Sequence, residues 1–143
     1  MIDDRFRFST AIRVRYSDLD AQGHVNSARY FTFMEEARLH YAQALGLWTA
    51  LHDFNSVGQI VAEATCTYLR PVFLGQTVDV AVRISRMGTK SMTTDYRLTV
   101  GPDEVATGRT VQVTYDYQNQ RSIPIPDGWR QRIEAYESGA GEF

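Results

Sequence analysis

With a single cysteine, Cys66, in 143 residues, the chain can form neither an internal disulfide nor a multi-cysteine zinc site. The lone thiol sits in a strand-like run and suits a small buried apolar role in a reducing compartment. Long apolar runs are missing as well, so no segment is expected to span a bilayer. The start, Met1-Ile2-Asp3-Asp4-Arg5, lacks the basic stretch and apolar run of a signal peptide, and the cytoplasm is the expected location. There is no excess of positive charge. The formal net charge of −2 argues against general nucleic-acid binding, which needs a basic surface, while leaving room for a local basic patch against an anionic ligand. His24, His40 and His52 lack metal-ligand spacing, so no metal is expected. Neither a Gly-x-Gly-x-x-Gly after a strand nor a Gly-x-Ser-x-Gly elbow occurs. The turn Gly88-Thr89-Lys90-Ser91 has Arg83 where a phosphate loop needs glycine, which excludes ATP binding by that route.

What is present is a globular composition, 43% hydrophobic and 22% charged, long enough for one domain over residues 1–143 with a real core. Residues 7 to 16 alternate as a first strand. Between about Ser27 and Leu45, Tyr30, Met34, Ala37, Tyr41 and Leu45 recur at helical steps, with Asn26 or Ser27 to cap the start and Gly46 to end it. Residues 47 to 58 read as a connecting loop. Ile60, Ala62, Ala64, Cys66 and Tyr68 are expected on one strand face, with Glu63 opposite. Val78 to Ile84, Tyr96 to Val100 and Val111 to Tyr115 alternate as further strands. Short turns between them imply antiparallel pairing. The tail carries Trp129, Ile133 and Tyr136 at helical spacing, with Asp127 as a candidate cap and fraying expected from Gly139. The fold class is therefore α+β: an antiparallel sheet of about five strands covered by one long helix.

The chemistry concentrates in Tyr16-Ser17-Asp18-Leu19-Asp20-Ala21-Gln22-Gly23-His24-Val25-Asn26-Ser27. A carboxylate in a tight loop opens a helix whose first amides lack intrahelical partners and carry a positive dipole end. Asp20 can attack a carbonyl or activate a water while those amides hold the oxyanion. The bland alternative is a turn residue or cap. Asp18 reads as a brace for the loop. Gly23 permits a sharp turn or close ligand approach. His24 can orient Asp20 or a water, or simply bond nearby backbone. Asn26 is a candidate substrate contact, with a cap or brace as the other reading.

Asp20, Gly23, Val25, Asn26 and Tyr30, followed by Glu35 and Arg38, resemble the signature of hot-dog-fold thioesterases of the 4-hydroxybenzoyl-CoA thioesterase type. Tyr68-Leu69-Arg70-Pro71, Gly75, the turn at Gly88 and Arg121 to Pro126 extend the likeness from about residue 8 to about residue 127. The resemblance implies a sheet wrapped around a central helix and hydrolysis of an acyl-CoA. It implies Asp20 as nucleophile or base and the backbone N–H at Ser27 as oxyanion donor. It also places the turn bearing Arg86, Lys90 and Ser91 near the nucleotide of coenzyme A; solvated surface charge is the competing reading for these residues. Tyr30, Phe31 and Phe33 are expected to line the acyl chain. No cofactor is implied, since coenzyme A belongs to the substrate. Glu35 and Glu36 are second-choice carboxylates, and Glu35 and Arg38 could pair along the helix. Exposed sheet edges and the family's shared active sites imply a homo-oligomer, a dimer or tetramer. Two other readings on this fold are an acyl-carrier-protein thioesterase and a non-catalytic acyl-CoA-binding protein; a hydratase would need an Asp/His motif that is not found.

Overall fold

The computed structural model describes residues 5–47 and 57–139. The elements run β1 (Phe8–Arg13), α1 (Arg29–Ala44), β2 (Val57–Tyr68), β3 (Thr77–Met87), β4 (Ser91–Val100), β5 (Asp103–Asp116), β6 (Arg121–Ser122) and α2 (Asp127–Ser138), with a single 3₁₀ turn at Tyr16–Asp18. The strands form one antiparallel sheet in the order β1-β3-β4-β5-β2, and the two-residue β6 adds to β5. This is the expected α+β, hot-dog architecture, with a helix of 16 residues across one sheet face.

Alternation explains which face that is. Val78, Val80, Val82 and Ile84 of β3, Met92, Tyr96 and Leu98 of β4, and Tyr30, Phe33, Met34, Ala37 and Tyr41 of α1 are buried together. Each such large side chain contributes roughly 1.5–3 kcal/mol on leaving water. At Gly108 of β5 a Cβ would collide with the Met34 sulfur of α1. Gly46, at φ +70°, ends α1 in the left-handed conformation that glycine adopts without strain.

A bulge corrects one expectation. The β2–β5 register slips between Val61 and Glu63, so Val61 pairs with Gln112 and Ala64 with Thr110, while Ile60 pairs with Val113. Paired residues share a face. Ile60 therefore lies on the face opposite Ala64, Cys66 and Tyr68, and Glu63 points away from α1. Val57 and Gly58 belong to β2, and the rest of the expected loop, 48–56, lies outside the described residues. At α2 the cap position is taken by Pro126, and Asp127 is the first helical residue. Arg38 turns inward: its Nη1 donates to the Tyr96 hydroxyl at 3.0 Å, and no Glu35–Arg38 ion pair forms among the described residues. The Tyr96 hydroxyl meets Thr110 Oγ1 at 2.7 Å, and Thr94 Oγ1 donates to Gln112 Oε1 at 2.7 Å, so the polar groups under the helix satisfy one another.

Glu137 fixes the far end of the core. It is wholly buried, and its Oε2 accepts from the Tyr41 hydroxyl at 2.5 Å and from the Ile84 N–H at 3.0 Å, tying α2 to α1 and β3. Burial holds its carboxyl above the usual carboxylate range, against the pull of those two donors. Because the folded chain holds this proton more tightly than the unfolded chain, the associated stability is present below the ordinary glutamate value. It is lost as pH rises through the raised one. Glu137→Gln keeps an acceptor for Tyr41 and Ile84 but cannot ionise. Its Tm should therefore fall less than that of the wild type as pH rises above about 4, by thermal scans at successive pH values.

Candidate active site

The loop before α1 is built on its own backbone. The Gly23 N–H donates to the Asp20 carbonyl at 3.1 Å and the Asp20 N–H to the His24 carbonyl at 2.9 Å, closing a tight turn. Gly23 sits at φ +87°, and a Cβ there would meet nothing within 4 Å. Glycine is needed at this position for its conformation, not for close packing. The Val25 N–H donates to the Val72 carbonyl at 2.8 Å, and a bridge joins His24 to Phe73, so the turn is stitched to the segment that leads into β3.

Asp18 is fully buried beneath this loop. Its Oδ2 accepts from the Arg15 N–H at 2.8 Å, its carbonyl accepts from the Asn26 N–H at 2.9 Å, and the guanidinium groups of Arg15 and Arg29 lie 3.6 and 3.9 Å from Oδ1. A buried carboxylate needs such partners. Asp20, by contrast, is part-exposed. Its Oδ1 accepts from the Gln22 N–H at 2.8 Å, and its Oδ2 lies 3.6 Å from His24 Nδ1, too long for a hydrogen bond; that nitrogen instead faces the Val25 carbonyl at 3.4 Å. The other ring nitrogen of His24 is 3.0 Å from Gln22 Oε1. The structure thus brings Asp20, Gly23 and His24 together.

The start of α1 distributes its amides unequally. Asn26 Oδ1 accepts from the Ala28 N–H at 2.9 Å, and the Asn26 carbonyl accepts from the Arg29 N–H at 2.9 Å. The cap position of α1 is Ala28, with no side-chain cap bond, so neither Asn26 nor Ser27 caps the helix; Asn26 braces the turn that leads into it. The Ser27 N–H has no hydrogen-bond partner among the described residues. The Ser27 carbonyl accepts from the Tyr68 hydroxyl at 2.7 Å. Tyr30 is buried, its ring 4.8 Å from that of Tyr68 and edge-on to it. Its hydroxyl is held above the usual tyrosine range, chiefly by burial, then by Cys66 and Tyr68. Burial also pushes the Cys66 thiol up, which makes it a poor nucleophile.

Arg86, Lys90 and Ser91 lie elsewhere. The loop of Asp20 sits at the Thr77 end of β3, since the Val14 N–H bonds Gln76 and His24 bridges Phe73. The turn at Gly88 follows the other end, 11 residues on, roughly 30 Å at strand rise. Arg86 and Lys90 are exposed, and the turn is anchored by an Arg130 Nη2 bond of 2.6 Å to the Gly88 carbonyl. One chain by itself does not bring these cations to Asp20. Sequence reasoning did not find Tyr68 as a neighbour of the helix start, nor Arg29 as a neighbour of Asp18. Both relations join segments far apart along the chain, and no local pattern announces them.

An amide without a partner among the described residues, just ahead of α1, shares its loop with a part-exposed carboxylate, on a helix seated against an antiparallel sheet in the hot-dog arrangement of thioester hydrolases. The sequence profile of the thioesterase-like superfamily matches residues 14–133, and the chain belongs to that superfamily. It is similar to the long-chain acyl-CoA thioesterase FadM of Escherichia coli, 28% identical over 130 residues that cover 87% of this chain and 96% of that protein. It is also similar to the 1,4-dihydroxy-2-naphthoyl-CoA hydrolase of Synechococcus elongatus, 28% identical over 116 residues, 80% of this chain and 85% of the other. Among solved structures, a Thermus thermophilus thioesterase complexed with coenzyme A and zinc superposes with a TM-score of 0.81 and 33% identity, covering 93% of this chain and 96% of that one.

Proposed function

We propose that this chain hydrolyses acyl-CoA to a free acid and coenzyme A, with Asp20 as nucleophile or general base. The observation that carries the reading is the unpartnered Ser27 N–H at the start of α1, in the same loop as a carboxylate whose Oδ2 is left free of backbone bonds. The similarity to two proteins named as CoA-thioester hydrolases supports the substrate class. A carboxylate or water oxygen adds to the thioester carbon, and the carbonyl electrons move to oxygen. The Ser27 amide and the positive end of α1 stabilise that charge. The carbon–sulfur bond then breaks and coenzyme A leaves as the thiolate. Where Asp20 is the base, the proton it took from water passes on to that thiolate. Where Asp20 is the nucleophile, water then hydrolyses the acyl–Asp20 anhydride to the free acid, and the thiolate takes up a proton released in that step. His24 flanks the Asp20 carboxylate, with its ring nitrogens held at the Val25 carbonyl and Gln22 Oε1. Phe31 and Tyr30, on the first turn of α1, border the acyl group.

The working unit is a homo-oligomer, at least a two-fold dimer and in its fuller form a tetramer. β2 is 12 residues long and pairs on one side with β5; Ile60 and Val61 are each 41% exposed along it. A long apolar edge of this kind invites pairing. Two-fold symmetry would lay β2 antiparallel against its copy. The Val57 end of one strand would then meet the Tyr68 end of the other. That brings the partner's Gly88 turn to the end of the sheet that holds this chain's Asp20, which reconciles the roughly 30 Å separation within one chain with joint action at one substrate. In that arrangement Arg86 and Lys90 grip the phosphates of coenzyme A, with Ser91 beside them.

Asp20→Asn preserves the acceptor for the Gln22 N–H and removes the charge. Turnover of CoA thioesters should drop at least about a hundredfold with the fold intact by circular dichroism, and near-normal turnover would sink the assignment. Arg86→Ala combined with Lys90→Ala should raise KM for acyl-CoA about tenfold and leave kcat within about twofold, because phosphate contacts bind ground and transition states alike. An unchanged KM would return both residues to solvated surface charge. Light scattering at micromolar concentration should give a dimer or larger mass; a fully active monomer would contradict the shared site.

A further inference from the structure

The turn between β3 and β4 has each of its four carbonyls tied down. The Gly88 carbonyl accepts from Arg130 Nη2 at 2.6 Å, and the Thr89 carbonyl from the Ile125 N–H at 2.9 Å. The Lys90 carbonyl accepts from the Thr114 N–H at 2.9 Å, and the Ser91 carbonyl from the Gly88 N–H at 2.7 Å. Each carbonyl shares a trans peptide plane with the N–H of the next residue, and the two point in opposite directions. The bond from Arg130 therefore aims the Thr89 N–H away from α2. The bond from Ile125 aims the Lys90 N–H away from the segment that leads into α2. Neither amide has a partner among the described residues, and Thr89 and Lys90 are both exposed. Arg130 thus supplies the one hydrogen bond on the Gly88–Thr89 peptide plane among the described residues. Successive backbone N–H groups turned outward in this way take anions.

We infer that Arg130 is a positioning residue for coenzyme A binding: through the Gly88 carbonyl it fixes the direction in which the Thr89 N–H meets a phosphate oxygen. The inference rests on the acyl-CoA reading above. Arg130 is suited to the task. It stands on the first turn of α2, where its own N–H donates to the Pro126 carbonyl at 3.0 Å, and the next turn plants Ile133 in the core. Its guanidinium stays charged and presents its donors in a fixed fork. Ile125, which sets the second amide, is buried five residues earlier on the same segment, so both amides are aimed from one anchor. A carbonyl that accepts a hydrogen bond also polarises its peptide, which strengthens the N–H at the other end as a donor.

Arg130→Met keeps most of the stem and removes the donor. KM for acyl-CoA should rise about fivefold, the worth of one hydrogen bond, while kcat stays within about twofold. The same acyl group carried on pantetheine, which has no phosphate, should be turned over as by the wild type. Arg130→Lys retains a cationic donor and should bring KM for acyl-CoA back to within about twofold of the wild type. Free coenzyme A should move the Thr89 amide proton downfield in amide NMR spectra of the wild type and leave it in place in Arg130→Met. An unchanged KM in Arg130→Met, or an equal loss on the pantetheine ester, would overturn the inference. So would a Thr89 resonance that still moves with coenzyme A in Arg130→Met while KM rises, since Arg130 would then hold the phosphate itself. Each of these outcomes leaves acyl-CoA hydrolysis standing. A wild-type chain inert towards every CoA thioester in an aliphatic and aromatic panel would instead bring down that reading and the role of Arg130 with it.

Discussion

The packing of α1 across one face of the sheet is the constraint on which the other features depend. Only a residue without a side chain lets Met34 settle against β5. With the helix that low, Tyr96, Thr110, Gln112 and Thr94 are cut off from water and must bond one another, and Arg38 must turn in to join them. At the start of the helix the Ser27 carbonyl accepts from a tyrosine that projects from β2, Tyr68. The chemistry of the loop and the packing of the core thus share one spatial origin.

Two carboxylates show how burial divides labour. Asp18 and Asp20 are separated by one residue, yet the first is sealed under the loop among an amide and two guanidinium groups, and the second stands in the open with one oxygen bound to its own turn. The buried acid shapes the loop and the exposed one can react. Glu137 makes the contrast at the other end of the molecule, where an acid with no access to solvent pins three elements together.

Much of this was legible in the sequence because it is local. Period-two alternation marks β3, β4 and β5, helical spacing marks α1 and α2, and the turn around Gly23 carries its own hydrogen bonds. Where the reading failed, the cause is physical. Residues 60 to 68 alternate well enough to look like one face, but the bulge after Val61 inserts a residue and exchanges the faces. Arg38 looked like the partner of Glu35 because helical neighbours at three residues often pair; its guanidinium instead donates to the Tyr96 hydroxyl, a hydrogen bond from a charged group that is worth more than a solvent-exposed ion pair. Tyr68 and Ser27 meet only after the sheet has formed, and no window along the chain holds both.

The distance between the Asp20 loop and the Arg86–Lys90 turn bears on inheritance. In the two-fold pair proposed above, each chain lends its acid to one site and its cations to the other. If one copy lacked the acid and its partner lacked the cations, both defects would fall on the same site and leave the second whole. Two damaged alleles, each impaired when paired with itself, would then restore part of the activity when expressed together. Selection would see the loop and the turn as separable units, although one continuous strand, β3, connects them.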